Sequence, residues 1–466
     1  MTETPEISQI NDQELGSVDH VVVSQPTPPV RSRKRWLAQV NHPLRAVGYY
    51  FALVYAFIVF TQLHQLAILA VGVDTHLLMI VAVPMILLVL GSGGLRSTLQ
   101  WSAAKYWAGY SLFMLVGVLF STWRSESLAL TWNWLRVEVL ILFVIAGCVM
   151  TWREVKRLMG VLAWAAVVDV VAGRVFGDQI AGRLEVTGTT MSNANDYAAL
   201  LILVLPCLVL VVVSASQLAV TRIAAAGILL YGLYLILMTG SRGALIGMCV
   251  IVLFSIWMLR PSQKIIAGSI VILFVFAAPI IVPQRILTRF STTIPSADSP
   301  ENDPDSSGAT ESKQDRVYLL KQSVLTTLSH PLFGVGAGQF QNYEGRKARE
   351  MGLHGSWHET HNTFTQVSSE IGMPALLFFL AAIFTTYRML NSVYRAARRR
   401  TPTQETQQIS ATAFCLLISL IGFCAASFFL SLGYRFYLPA LTGVTIAFYR
   451  AVQQKWRPAV APTENV

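Results

Sequence analysis

The chain has 466 residues, of which 54% are hydrophobic and only 13% charged, and its mean hydropathy is +0.54. A water-soluble domain carries a more polar surface, so this composition excludes one and indicates a polytopic membrane protein. The formal net charge of +10 does not indicate a nucleic-acid partner, because the basic residues fall in alternate connections between apolar runs.

Residues 1–45 begin with a polar, proline-containing stretch that lacks an apolar core segment, so they are expected to form a disordered cytoplasmic tail rather than a signal peptide. A run of about 20 apolar residues crosses a bilayer. Residues 46–283 contain nine such runs, near 48–70, 77–94, 104–122, 132–150, 157–176, 196–215, 221–239, 243–259 and 264–283. Residues 372–452 contain three more, near 372–392, 410–431 and 434–452, before a C-terminal tail at 453–466. The expected fold is therefore all-α, with about 12 transmembrane helices. Basic residues precede the first run (Arg31, Arg33, Lys34, Arg35, Arg45), follow the fourth (Arg153, Lys156, Arg157) and follow the tenth (Arg388, Arg395, Arg398, Arg399, Arg400). The opposite connections are poor in them, with Arg124 alone between runs three and four. This bias puts both termini in the cytoplasm and the long loop at 284–371 outside. No ATP is available there, so a reaction in that loop must draw on a preactivated, lipid-linked donor.

The five cysteines (Cys148, Cys207, Cys249, Cys415, Cys424) all lie in apolar runs without paired spacing and are expected to be packing residues. Arg136, near Trp132 and Trp134, is expected to snorkel to the interface. Asp169 lies deep in its run, where a buried hydrogen-bonding role competes with a proton or ion path. Arg242, in Thr239-Gly240-Ser241-Arg242-Gly243, sits between two apolar runs with almost no loop. A charge at membrane depth costs about 3 kcal/mol unless it is paired or reaches the headgroups, and the flanking glycines leave room for a ligand.

Within the external loop, Pro295 to Ser312 is rich in Asp, Ser, Pro and Gly and is expected to be mobile. A helix start is expected at Ser312-Lys313-Gln314-Asp315, followed by Val317, Leu320, Val324 and Leu328 at the spacing of an amphipathic surface helix. Arg316 lies on its first turn, with Leu320 expected to hold that face against apolar surroundings. Guanidinium groups grip phosphate bidentately and stay charged, which suits them to a pyrophosphate leaving group. Arg289 and Lys321 share the loop. The stretch His330-Pro331-Leu332-Phe333-Gly334-Val335-Gly336-Ala337-Gly338 ends the helix; a packed turn is the favoured reading over a phosphate cradle, because no strand precedes it. His354, His358 and His361 stand at i, i+4 and i+7, a spacing open to a metal reading with Glu359 nearby, though Gly355 and Ser356 disfavour a helix. Asp303-Pro304-Asp305 is formally a metal-holding pair in an unstructured setting. The better assignment is no metal and one histidine as general base, because imidazole titrates near neutrality. His361 is preferred for its mount beside Asn362 and the next helix, with His358 in reserve.

The order of twelve spans, the Thr239-Gly240-Ser241-Arg242-Gly243 turn, Arg316-x-x-x-Leu320, His330-Pro331-Leu332-Phe333-Gly334-Val335-Gly336 and His361-Asn362-Thr363-Phe364 together resemble the O-antigen ligase and polymerase superfamily over roughly residues 45–455. Arg183 and the segment Gly188 to Asn195 resemble a further external segment of that family, without its usual proline. The resemblance implies a bacterial inner-membrane, metal-independent, inverting glycosyltransferase with no cofactor. It would move a glycan from undecaprenyl pyrophosphate to an acceptor hydroxyl on the periplasmic side. Carried over by position, Arg242 and Arg316 would bind the donor pyrophosphate and His361 would activate the acceptor. Arg183, Asn195, Lys321, His358, Asn362 and Arg289 are weaker substrate-binding candidates. The expected acceptor is lipid A core; another lipid-linked glycan, as in a polymerase, or a protein are the alternatives within this chemistry. A solute or bicarbonate transporter is the alternative outside it, but no internal repeat is visible and the notable charges lie at the external rim.

Overall fold

The computed structural model describes residues 32–180, 182–189, 193–259, parts of 261–287, 304–352 and 357–456. The protein is an all-α, multi-pass membrane protein with a single two-stranded hairpin among the described residues. Eight helical segments are long and apolar enough to cross a membrane by length and composition, and two shorter apolar helices, Leu77–Gly91 and Arg242–Met258, accompany them. The expected span at 264–283 lies largely outside the described residues.

The helices run in chain order as α1 (Ser32–Val40), α2 (Pro43–Phe60), α3 (Leu63–Val71), α4 (Leu77–Gly91), α5 (Gly94–Thr98), α6 (Ser102–Gly117), α7 (Arg124–Asn133), α8 (Leu140–Cys148) and α9 (Trp152–Val175). After the hairpin β1 (Asp178–Ile180) and β2 (Arg183–Glu185) come α10 (Ala194–Val204), α11 (Pro206–Val213), α12 (Ala219–Met238) and α13 (Arg242–Met258). The remainder is α14 (Pro304–Ser329), α15 (Phe340–Glu350), α16 (Thr363–Glu370), α17 (Met373–Arg399), α18 (Gln404–Ser427) and α19 (Tyr437–Trp456).

Several boundaries differ from the sequence expectation for identifiable reasons. Residues 32–45, placed in a disordered tail, form α1 and the start of α2, whose first position is Pro43. The first expected span breaks where Gln62 adopts φ 50°. A π-helical turn at Trp134–Glu138 joins α7 to α8, and Pro206 marks the joint between α10 and α11. Helix α14 starts at Pro304, so the expected start at Ser312 is helix interior, and part of the stretch expected to be mobile is helical. Proline suits a first helical position because its missing N–H would be unsatisfied there anyway.

The centre of the bundle is α10–α11 and α18, each two-thirds buried over its span window (67%). An aromatic cluster couples the surrounding helices: Trp107 lies edge-on to Phe379 at 5.6 Å, and Trp134 packs on Tyr110 at 5.2 Å. Its polar edges are satisfied, with Trp134 Nε1 donating to Ser111 Oγ (2.9 Å) and Tyr110 Oη to the Gly433 carbonyl (2.8 Å). The second bond pins the α18–α19 turn. Asp169 is fully buried, and among the described residues its carboxyl has no hydrogen-bond partner, so the hydrogen-bonding one of its two expected roles finds no support.

The two ends of the bundle differ. Arg398 and Tyr394, near the end of α17, donate to the carbonyl of Met258, the last residue of α13. The starts of both helices therefore share the opposite end, together with the end of α9 and the α18–α19 turn. Helix α9 alone has 24 residues, so the ends lie about 36 Å apart.

Candidate functional site

His361 is mounted by a dense set of bonds to the α18–α19 turn. Its backbone N–H donates to Ser431 Oγ (3.0 Å), Thr363 Oγ1 donates to the Leu430 carbonyl (2.7 Å), and Gln366 Oε1 accepts from Gly433 N (2.9 Å). Asn362 is buried as the N-cap of α16, with its Oδ1 accepting from Phe364 N and Thr365 N. This is the rigid mount expected from the sequence, and the Asn362 oxygen serves as the helix cap within it. His361 itself takes φ 51°. A left-handed conformation costs a non-glycine residue about 1–2 kcal/mol, and such strain concentrates where a side chain must be aimed.

Arg316 comes close to this ring. Burial, the Arg316 charge and the neighbouring His358 together lower the His361 pKa from 6.5 to about 4, so the imidazole is neutral at neutral pH. The two histidine rings are 6.4 Å apart, with His358 exposed. The inner face of α14 is formed by buried Leu319, Ser323, Thr326 and Thr327, and Thr327 Oγ1 bonds Ser368 Oγ at 2.8 Å. The predicted apolar stripe faces outward, as a helix lying on the bilayer surface requires, with Val317 62% and Leu328 72% exposed. Leu320, expected to anchor the Arg316 face, is also exposed, and Leu319 fills that role. Tyr318 ties α14 to α15 by donating to Glu344 Oε1 (2.8 Å).

Arg183 on β2 donates through Nε to the Thr239 carbonyl (2.9 Å) and through Nη2 to Asn195 Oδ1 (2.8 Å). It thereby joins the hairpin, the first turn of α10 and the turn that presents Arg242. Arg242 is half-buried at the first position of α13, behind the N-cap Ser241, whose Oγ accepts from Ala244 N. The adjacent Gly243 is required by close packing, since a Cβ there would come within 2.9 Å of Phe429, just ahead of Ser431.

A residue missed by the sequence reading completes this wall. Arg435, in the α18–α19 turn, is exposed, with Glu138, Asp196 and Glu359 near enough to act on its charge. Burial acts to lower its pKa, but the surrounding Glu138, Tyr437, Asp196 and Glu359 raise it overall, so the guanidinium stays charged. Glu359 is pushed upward by burial, against the opposing effects of the Ser431 hydroxyl and Arg435. The available signal was a single cation in a short connection flanked by Tyr434 and Phe436, the same kind of pattern that drew attention to Arg242.

The glycine-rich stretch is a packed turn. Gly334, Gly336 and Gly338 all have positive φ, and a Cβ on Gly336 would lie 2.0 Å from Ser121 Oγ. Its N–H groups are already engaged: Val335 N donates to the Ser369 carbonyl, Gly336 N to the Glu370 carbonyl, and Gly338 N to Glu370 Oε2 (2.7 Å). No backbone cradle remains for a phosphate there.

Lys321 is exposed and lies about 140° around α14 from Arg316, so the structure does not bring it to the same face. Arg289, His354 and Asp303 lie outside the described residues, and with them the three-histidine alignment and the acidic pair. The five cysteines are free.

The fold and site define a membrane protein of the polytopic α class, with arginines and a neutral histidine gathered at one end of the bundle. Residues 227–380 match the family model described as O-antigen ligase, so the chain carries a domain of the O-antigen ligase superfamily. The matched stretch contains Arg242, Arg316 and His361, while Arg183, Asn195 and Arg435 lie outside it. None of the curated proteins searched matches the chain. The match supports glycan transfer of the O-antigen ligase type, with glycan and lipid substrates, by a multi-pass bacterial membrane protein.

Proposed function

We propose that the protein is an inverting, metal-independent glycosyltransferase acting on the periplasmic side of the inner membrane. It transfers a glycan from undecaprenyl pyrophosphate to an acceptor hydroxyl of lipid A core. The observation that carries the reading is a permanent cation, Arg316, placed near enough to the buried, neutral imidazole of His361 to act on its charge state. Arg316 and Arg242 bind the pyrophosphate, and His361 accepts the proton of the attacking hydroxyl. The acceptor oxygen forms a bond to the sugar anomeric carbon as the bond from that carbon to the pyrophosphate oxygen breaks. A single displacement inverts the configuration. The pyrophosphate leaves with the bonding electron pair, and fixed guanidinium charges stabilise it without reorganising.

The low pKa of His361 has a role in the order of events. Before the donor binds, burial above all, with the Arg316 and His358 charges, keeps the ring a weak base. A bound pyrophosphate offsets the Arg316 charge, so the imidazole pKa rises and the base strengthens once the donor is in place. The exposed apolar stripe of α14 fits a helix lying in the bilayer surface, where it would put Arg316 at headgroup level beside the lipid-linked donor.

The test is a reconstituted assay that offers the lipid-linked donor with lipid A core, with a second lipid-linked repeat, or with protein. Transfer to lipid A core is the expected outcome. Transfer to a second repeat alone would make the protein a polymerase, and transfer to a polypeptide alone a protein glycosyltransferase. No transfer to any of them would overturn the reading.

A further inference from the structure

A cavity of about 1160 Å³ is at the other end of the bundle from the candidate site. It lies between the starts of α9 and α18 and the ends of α11 and α17. Its interior is apolar, with Met159, Cys207, Leu210, Val211 and Phe414 in the wall. Its polar rim carries Arg153, Lys156, Arg157, Arg398 and Arg400, and no Asp or Glu is among its described lining residues. A second recess of about 280 Å³ shares Tyr394 and Arg398 with it and adds Arg395 and Arg399.

The nearest carboxylates in sequence are engaged elsewhere. Glu154 pairs with Arg45, and Glu405 pairs with Lys455 at 2.8 Å. Part of the rim is also engaged within the protein: Arg398 with the Met258 carbonyl and Tyr394, Arg400 over the Trp456 ring at 4.3 Å, and Arg157 with Tyr49. Arg153 and Lys156 differ. They are three residues apart on one face of α9, exposed, and among the described residues neither has a hydrogen-bond or ion-pair partner. An apolar cavity whose rim has uncompensated positive charge complements a molecule with both a hydrocarbon chain and a phosphate. A soluble anion would gain nothing from the apolar wall.

We propose that this cavity is a binding site for an anionic phospholipid, with an acyl chain against the α9–α11–α18 wall and the headgroup phosphate on Arg153 and Lys156. Basic recesses between membrane helices bind anionic headgroups in this way, and the cavity is large enough for a ligand of this kind. The site is separate from the glycan-transfer site and does not depend on the function proposed for it.

The test uses the purified full chain in detergent, titrated with phosphatidylglycerol or with phosphatidylcholine of the same acyl chains, and bound lipid read by native mass spectrometry. Phosphatidylglycerol is expected to bind preferentially. The double variant R153Q/K156Q should weaken it about 30-fold and leave phosphatidylcholine unchanged, while R153K/K156R retains binding. Both positions are exposed, so the variants should fold; the wild-type preference between the two lipids decides the question even if they do not. Equal binding of the two lipids, an unaffected R153Q/K156Q variant, or displacement of phosphatidylglycerol by excess inorganic phosphate would each overturn the proposal.

Discussion

Arg316 lies close enough to His361 for its charge to help burial hold the imidazole pKa near 4, although Arg316 is on α14 and His361 is in the turn ahead of α16, 45 residues on. The bonds that hold this pair also join distant parts of the chain. Ser431 fixes the histidine backbone, and Ser368 and Thr327 fix α14 against α16. A cation and a base held by separate elements can act on two ends of one reaction, the leaving group and the nucleophile.

Replacing Arg316 or His361 with alanine should lower transfer by about 10²–10⁴-fold, the range for a lost transition-state charge partner or general base. Arg316→Lys should recover only part of it, because an ammonium lacks the planar fork. The assay is transfer per mole of purified protein, with thermal unfolding as a control for folding. Wild-type rates in either alanine variant would remove that residue from the site.

The pH dependence follows from the direction of the His361 shift. A base works unprotonated, and below its pKa it is lost. In the free wild-type enzyme, kcat/KM should therefore persist as pH falls through 6.5 and decline only towards about 4. In Arg316→Ala the imidazole loses a neighbouring cation, so its titration, followed by NMR of the ring or by residual activity, should move upward. No movement would mean that Arg316 does not act on the ring.

Arg183→Ala should destabilise the protein by about 2 kcal/mol, the value of hydrogen bonds from a charged donor, and should reduce transfer by freeing the turn that presents Arg242. Arg183→Lys should restore little, since one ammonium cannot reproduce the two-armed contact to Thr239 and Asn195. Thermal unfolding of the three proteins side by side is the measurement.

Gly336→Ala combines φ 105° with a Cβ 2.0 Å from Ser121 Oγ, so folded protein should be largely lost. Gly72→Ala has a similar positive φ but nothing within 4 Å, and should cost only the backbone strain of about 1 kcal/mol. Comparable folded yields for the two would show that the packing of the glycine-rich turn against Ser121 is unimportant.

Transfer should be unchanged after a chelator and unaffected by added divalent cations, because the proposed chemistry assigns leaving-group charge to arginines. Loss of activity in chelator, restored by a divalent ion, would reassign that role to a metal.

The fold class was legible because apolar runs of membrane length need no tertiary information: each is defined by its own composition. Arg242 was conspicuous for a related reason, since a charge between two apolar runs is costly, whereas Arg316 in its polar loop stood out mainly through the family resemblance and His361 as a titratable group mounted beside a helix. Helix breaks were less visible. Gln62 and the π-helical turn before α8 leave little mark on hydropathy. The outward apolar stripe of α14 was visible as a pattern, but its buried face of Leu319, Ser323, Thr326 and Thr327 was not, because periodicity identifies one face without saying what covers the other.

By itself, the sequence determined that the chain is a helical membrane protein and which polar residues stand out along it. Only the tertiary structure decided which of them come together: Arg316 near His361, and Arg183 with Asn195 and the Arg242 turn; it also added Arg435, with carboxylates near it. The physical reason is that spans are set by the local balance between apolar side chains and lipid, whereas a site is set by contacts between elements far apart in sequence. Those contacts depend on backbone angles such as φ 51° at His361 and on hydroxyls such as Ser431, which no local pattern marks.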